Sequence, residues 1–143
     1  MREPVDWPTC DLVSHRAATT PERTAVVDGD RDGKRTYREL DTAVDSVAAA
    51  MGAHCDGSNG RVAALVDTRP SVAELWYGVL RTGRTFAPLN VDLAPDTLRH
   101  QLDALGPDLL VCERDTESLA TAVSDCPIVS VDDPTTGGVS SLA

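Results

Sequence analysis

Apolar positions recur along this chain in two alternating rhythms, that of helices with one buried side and that of short buried strands. Leu40, Val44, Val47 and Met51 are spaced four, three and four apart, a single apolar stripe along a helix that ends between Gly52 and Gly57. Thr36 and Glu39 precede it in capping-box spacing, hydroxyl and carboxylate each able to satisfy an orphan backbone N–H of the first turn. Val72, Leu75, Trp76, Val79 and Leu80 repeat the helical pattern after Pro70, and Gly83 suits the end of that helix. Leu98, Leu102 and Leu105 repeat it after Pro95, before Gly106-Pro107 stops it. A shorter helix is predicted over 11–20, with Leu12, Val13, Arg16 and Ala17 near one face, and another over 117–123.

Between these stretches lie shorter runs that read as strands. Residues 61–66 are nearly all apolar, as expected for a strand covered on both faces, 85–89 form the next strand, 108–112 a third, buried one and 128–131 a fourth. Pro88 lacks an N–H and belongs at a strand end. Strand and helix alternate from residue 61 to residue 131, which predicts an α/β domain of three layers, a mainly parallel sheet with flanking helices. Thr24–Val27 and Arg35-Thr36, either side of a turn-rich segment, predict an edge hairpin. From Asp132 the chain turns Pro/Thr/Gly/Ser-rich and is expected to lose regular structure. The division read from sequence is therefore a domain over 1–131 and a flexible tail or linker over 132–143.

The 143 residues suffice for one domain with a real core, and 41% are hydrophobic. No apolar run approaches the ~18 residues of a membrane span, and Met1–Asp6 has no apolar signal core, so a soluble, cytoplasmic protein is expected. Asp and Glu number 23 against 13 Lys and Arg, a net charge of -10. That sign excludes ordinary nucleic-acid binding, which is driven by cations meeting phosphates. Lys34 is the sole lysine. An acid-rich, lysine-poor surface suits a salt-filled cytoplasm that screens its self-repulsion, and a halophilic source is expected. Cys10, Cys55, Cys112 and Cys126 show no metal or redox spacing and read as reduced, mostly buried thiols. His15, His54 and His100 are scattered, without nucleophile or metal partners.

Two motifs invite stronger readings. Asp28, Asp30, Asp32, Gly33 and Glu39 match an EF-hand calcium loop at five of its positions. A strand precedes it where a helix should, Arg35 stands where an apolar residue belongs, and Glu39 is already used in the capping box. A hairpin turn is the better reading. Thr135-Thr136-Gly137-Gly138-Val139-Ser140-Ser141 has the small residues of a phosphate cradle, with no Lys or Arg to meet the charge. No Gly-x-Gly-x-x-Gly follows a strand, so a dinucleotide site has no support. Trp76, Tyr77 and Phe86 read as core, and His54 and His100 as surface or helix-end residues.

Three segments carry a family resemblance. His15-Arg16-Ala17 with Thr20-Pro21-Glu22-Arg23-Thr24-Ala25, then Arg35-Thr36-Tyr37-Arg38-Glu39-Leu40, then Leu80 to Asn90 with Gly83 and Pro88-Leu89-Asn90, stand in order and spacing. Together they resemble the opening of the adenylate-forming enzymes, the acyl-CoA synthetase superfamily, over Leu12 to Glu113. Peptide-synthetase adenylation domains tend to carry Asp where this chain has Asn90. With Leu93, Leu98, Gln101-Leu102 and Pro107–Val111, that points to the acyl- and aryl-CoA ligase branch, whose compact members include the o-succinylbenzoate–CoA ligases of menaquinone synthesis.

The resemblance implies that residues 1–131 are the N-terminal subdomain of an AMP-forming ligase. A small carboxylic acid and ATP give an acyl-adenylate, and the CoA thiol displaces AMP. ATP, Mg2+ and CoA are implied for the full-length enzyme, and none is expected on this chain, because the family's phosphate loop, its adenine- and ribose-binding segments and its lysine lie downstream. Some relatives place a basic residue near CoA where this chain has Asp92, which speaks against CoA contact there. No catalytic, cofactor-binding or metal residue carries over; Thr36, Glu39 and Gly83 read as structural. The chain alone is expected to be inactive, and an apolar face left by a missing subdomain is expected to favour a homodimer. The alternative is a stand-alone, non-catalytic α/β domain that binds a small ligand or protein at the strands' carboxyl ends.

Overall fold

The computed structural model describes residues 11–29, 33–55 and 59–142. Cys10 and Asp30–Asp32 of the calcium-like segment lie outside them. The chain divides into two compact units, 1–43 and 44–143.

The first unit holds helix α1 (Leu12–Thr19), strands β1 (Thr24–Asp28) and β2 (Gly33–Thr36), and the opening of helix α2 (Tyr37–His54), which continues into the second unit. Asp11 starts α1 by accepting the Val13 and Ser14 N–H groups at 2.9 and 3.1 Å, a carboxylate where the helix dipole favours one. β1 and β2 pair antiparallel as a two-stranded sheet of their own, with Asp28 opposite Gly33. The predicted capping box is made: the Thr36 N–H and hydroxyl donate to Glu39 Oε2 at 2.8 and 3.1 Å, and the Glu39 N–H returns to the hydroxyl at 3.3 Å. Val13 and Leu40 are buried, and the Ser14 hydroxyl donates to Asp41 at 2.9 Å.

The second unit is built on a five-stranded sheet in the order β4-β3-β5-β6-β7. Its strands are β3 (Arg61–Leu65), β4 (Thr85–Pro88), β5 (Leu109–Cys112), β6 (Ile128–Ser130) and β7 (Val139–Ser141), and every pair is parallel. Helices α3 (Pro70–Arg81), α4 (Pro95–Leu105) and α5 (Glu117–Val123) connect them, α5 following a single 3-10 turn at Arg114–Thr116. Successive strand residues enter opposite layers. Val62, Ala64, Leu109, Val111 and Val129 pack with Val47, Met51, Leu75 and Val79 from α2 and α3. Ala63, Leu65, Leu110, Cys112 and Ile128 pack with Leu98, Leu102, Ala120 and Val123 from α4 and α5. This is the predicted three-layer α/β arrangement. Gly83 (φ 78°) and Gly106 (φ 56°) end α3 and α4 in the left-handed conformation that a side chain disfavours.

Two expectations are corrected. The chain does not lose regular structure throughout 132–143: Val139–Ser141 adds to β6 as the edge strand β7, and Leu142 is buried. Three residues, two of them serine, carry no strand pattern of their own, and pairing with β6 supplies what composition does not. Trp76 and Leu80 are not core; they are 45% and 47% exposed. The buried arc of α3 centres on Leu75, Gly78 and Val79, because α2 crosses so closely at Gly78 that an added Cβ would meet Val47 Cγ1 at 2.5 Å. That turns Trp76 to the rim, edge-on to half-buried Phe86 with ring centres 5.7 Å apart.

Candidate functional site

In a parallel sheet the carboxyl ends of the strands collect the connecting loops, and ligands of such folds gather there. Here each of three neighbouring strands is followed by a charged residue at that end: Asp67 and Arg69 after β3, Glu113 after β5, Asp132 after β6. The fold brings them together. The Arg69 guanidinium spans two carboxylates, with Nη1 2.9 Å from Glu113 Oε2 and 3.1 Å from Asp132 Oδ2, and Nη2 donating to Asp132 Oδ1 at 3.1 Å. Backbone donors fill the remaining lone pairs. The Asp67 N–H reaches Glu113 Oε1 at 2.8 Å, and the Arg114 N–H reaches Asp132 Oδ2 at 3.0 Å. Thr116 ties the base of the cluster, its hydroxyl donating to the Leu65 carbonyl at 2.6 Å while accepting the Glu113 N–H at 3.0 Å.

Electrostatics follow the contacts. Its hydrogen bonds to Asp132 and then to Glu113 push the Arg69 guanidinium further up. Its donation to Asp132, against some desolvation, holds that carboxyl below its usual range. Burial, with the charge of Glu117 nearby, pushes the Cys112 thiol up to about 11, a neutral and inert group at physiological pH. Both shifts move Arg69 and Asp132 deeper into their charged forms, away from what a general acid or base needs. Paired ions with filled lone pairs make a brace for three loops rather than a reactive centre.

A second carboxylate belongs to the same end of the sheet. Glu117, the first residue of α5, is fully buried. Its Oε2 accepts the Thr135 N–H at 3.0 Å, the Thr135 hydroxyl at 2.9 Å and the Thr136 N–H at 2.9 Å. Burial would raise this carboxyl; the donations from Thr135 and Thr136 outweigh it and bring it down to about 2. Oε1 is buried with no hydrogen-bond partner among the described residues.

The motifs singled out by sequence fall elsewhere or change meaning. Glu39 is spent on Thr36, and Asp28 pairs across the hairpin with Gly33, while residues 30–32 of that motif lie outside the described residues. Among the described residues no group of three or more His, Cys, Asp or Glu could hold a metal ion. Within the Thr135–Gly138 stretch, the Thr135 and Thr136 N–H groups are already given to Glu117. Asp92 is exposed, its N–H on Asn90 Oδ1 at 2.9 Å. Cys55 and Cys112 are buried and Cys126 half-buried, with no disulfide among the described residues. A cleft of about 330 Å³ between α4 and the end of α5 is lined by Arg99, Asp103, Ser124 and Cys126 among others, and Arg99 there already donates to the Ala122 carbonyl. No described helix is long and apolar enough to cross a membrane. The Arg69–Glu113–Asp132 brace escaped the sequence reading; its one signal was a charged residue just past each buried apolar run.

The architecture of the second unit is that of a parallel α/β sheet with braced loops at its carboxyl edge. Residues 13–140 match the family described as AMP-binding enzyme, and the chain belongs to that family. It is 27% identical over 122 residues to tyrocidine synthase 3 of Brevibacillus parabrevis, covering 85% of this chain and 2% of that protein. It is 40% identical over 74 residues to a 3-hydroxybenzoate–CoA/4-hydroxybenzoate–CoA ligase of Thauera aromatica, covering 52% of this chain and 14% of that one. Its fold superposes on O-succinylbenzoate Coenzyme A Synthetase (MenE) from Bacillus subtilis, solved with ATP and magnesium ion, at a TM-score of 0.79 and 23% identity, over 87% of this chain and 33% of that one. The chain thus spans a small part, at most a third, of these relatives.

Proposed function

We propose that this chain is the N-terminal segment of an AMP-forming acid–thiol ligase acting on a small carboxylic acid. The observation that carries the reading is the family match over residues 13–140, joined to the 40% identity with a hydroxybenzoate–CoA ligase. In the full-length enzyme a carboxylate oxygen attacks the α-phosphorus of ATP, pyrophosphate leaves, and the CoA sulfur then takes the acyl carbon as AMP departs. ATP, Mg2+ and CoA are the cofactors of that reaction. This segment supplies no catalytic residue; it supplies a rigid sheet with braced loops, and preorganisation of that kind keeps a charge-stabilising site in place.

Within the ligases, an aryl acid is the favoured substrate class, with o-succinylbenzoate, a precursor in menaquinone synthesis, the specific candidate. Asn90 and the likeness to two hydroxybenzoate–CoA ligases support the aryl class. The test is the native reading frame past Ala143. The reading expects a continuation rich in Thr, Ser and Gly that ends in Lys, and thioester formation by the full product with o-succinylbenzoate or a hydroxybenzoate. ATP–pyrophosphate exchange by the 143 residues alone would contradict it. A frame that stops at Ala143 would favour the stand-alone binding domain instead.

The setting proposed is a saline cytoplasm, on the strength of the -10 charge and the single lysine. Melting against KCl tests it; equal stability at low and molar salt would overturn it.

A further inference from the structure

By composition Thr135-Thr136-Gly137-Gly138 imitates a phosphate cradle that lacks its cation. In the fold the turn does hold an anion, and the anion is the chain's own. Two consecutive backbone N–H groups and one hydroxyl converge on a single oxygen of Glu117 at 2.9–3.0 Å, the arrangement by which a backbone nest grips a phosphate or carboxylate oxygen. Among the described residues no cation takes part: the charge of this fully buried carboxylate rests on the three donors, and its other oxygen has no protein partner there. The strap from β6 to β7 is thereby clipped down at two points, Asp132 on Arg69 and the Arg114 N–H, and Thr135–Thr136 on Glu117.

We infer that the Thr135–Thr136 turn is an anion-binding nest whose resident is the tethered carboxylate of Glu117, and that removing this carboxylate opens a site for a small free carboxylate. The inference goes beyond the ligase reading and stands without it. It explains a glycine-rich turn with no basic residue: the turn is plugged from within. It also makes Glu117 the group that seats the edge strand β7, which pairs with β6 over only three residues.

Chemical rescue tests it on the 143-residue chain. Glu117→Ala should melt lower than wild type. Sodium formate should restore its stability along a saturating curve and shift the Thr135 and Thr136 amide resonances, while sodium chloride at equal ionic strength does neither. Glu117→Gln fills the same volume with a neutral acceptor and should be destabilised without rescue. Formate and chloride acting alike on Glu117→Ala, or Glu117→Gln melting with wild type, would overturn the inference. Should Glu117→Ala fail to fold, Thr135→Val, at an exposed position that keeps both N–H groups, decides the matter. The carboxyl carbon of Glu117 should then titrate at a higher pH than in wild type, and an unchanged midpoint would overturn the inference.

Discussion

Glu39 and Glu117 perform the same chemistry in two settings. Each carboxylate takes, on a single Oε2, a threonine backbone N–H and that threonine's hydroxyl: Thr36 for Glu39, Thr135 for Glu117, with the Thr136 N–H added. Both carboxyls are held below their usual range, Glu39 chiefly by the Thr36 N–H. The first pair is local and exposed, three residues apart; the second is partly buried, around a fully buried carboxylate, and joins residues 18 and 19 positions apart. Water can replace Glu39 if it is lost. Losing Glu117 leaves three donors aimed at an empty position inside the fold until a small anion enters, and a donor deprived of its partner costs more than the bond itself is worth. Equal contacts therefore predict unequal consequences.

The largest effect should come from Glu117→Gln, which is expected to lower the melting temperature well below that of Glu39→Gln; equal drops in calorimetry would break the comparison. Acid titration sharpens it. A carboxyl whose folded pKa is depressed contributes stability above its unfolded value, and that contribution is lost as pH falls through the folded one. For Glu117 the window runs from an ordinary 4.5 down to about 2. Circular dichroism against pH should show the acid loss in wild type and a flatter curve in Glu117→Gln; parallel curves would contradict it.

A second non-local contact inside the fold belongs with Glu117 in kind. Gly78→Ala would press a methyl to 2.5 Å from Val47 Cγ1 and 3.1 Å from the Val44 carbonyl, and overpacking of this sort costs about 1–3 kcal/mol, read by urea denaturation. Thr36→Ala, which removes the local cap, should cost about 1 kcal/mol in the same assay. Smallest is Glu22→Gln: its ion pair with Arg38, at 2.7 Å between exposed side chains, should be worth about 0.2–1 kcal/mol and fade with salt.

The same contrast separates what could be read in the sequence from what could not. The capping box, the buried strand 61–65 and the helix ends at Gly83 and Gly106 are written in neighbouring residues, because the physics that makes them acts within a few positions. The edge strand β7 and the Glu117 nest depend on partners that only the folded sheet supplies. Arg69, Glu113 and Asp132 lie in between: each sits just past an apolar run, a local sign, but which cation meets which carboxylate is decided by strand order. Trp76 and Leu80 were misplaced for a related reason. An apolar stripe fixes a helix, while the centre of its buried arc is set by the neighbour that presses on Gly78.

The most direct test follows the carboxyl carbon of Glu117 by NMR as pH is lowered. The nest predicts a carboxylate still ionised at about pH 4, with the Thr135 and Thr136 amides unshifted there. A midpoint near the ordinary 4.5, with those amides moving in step, would contradict it.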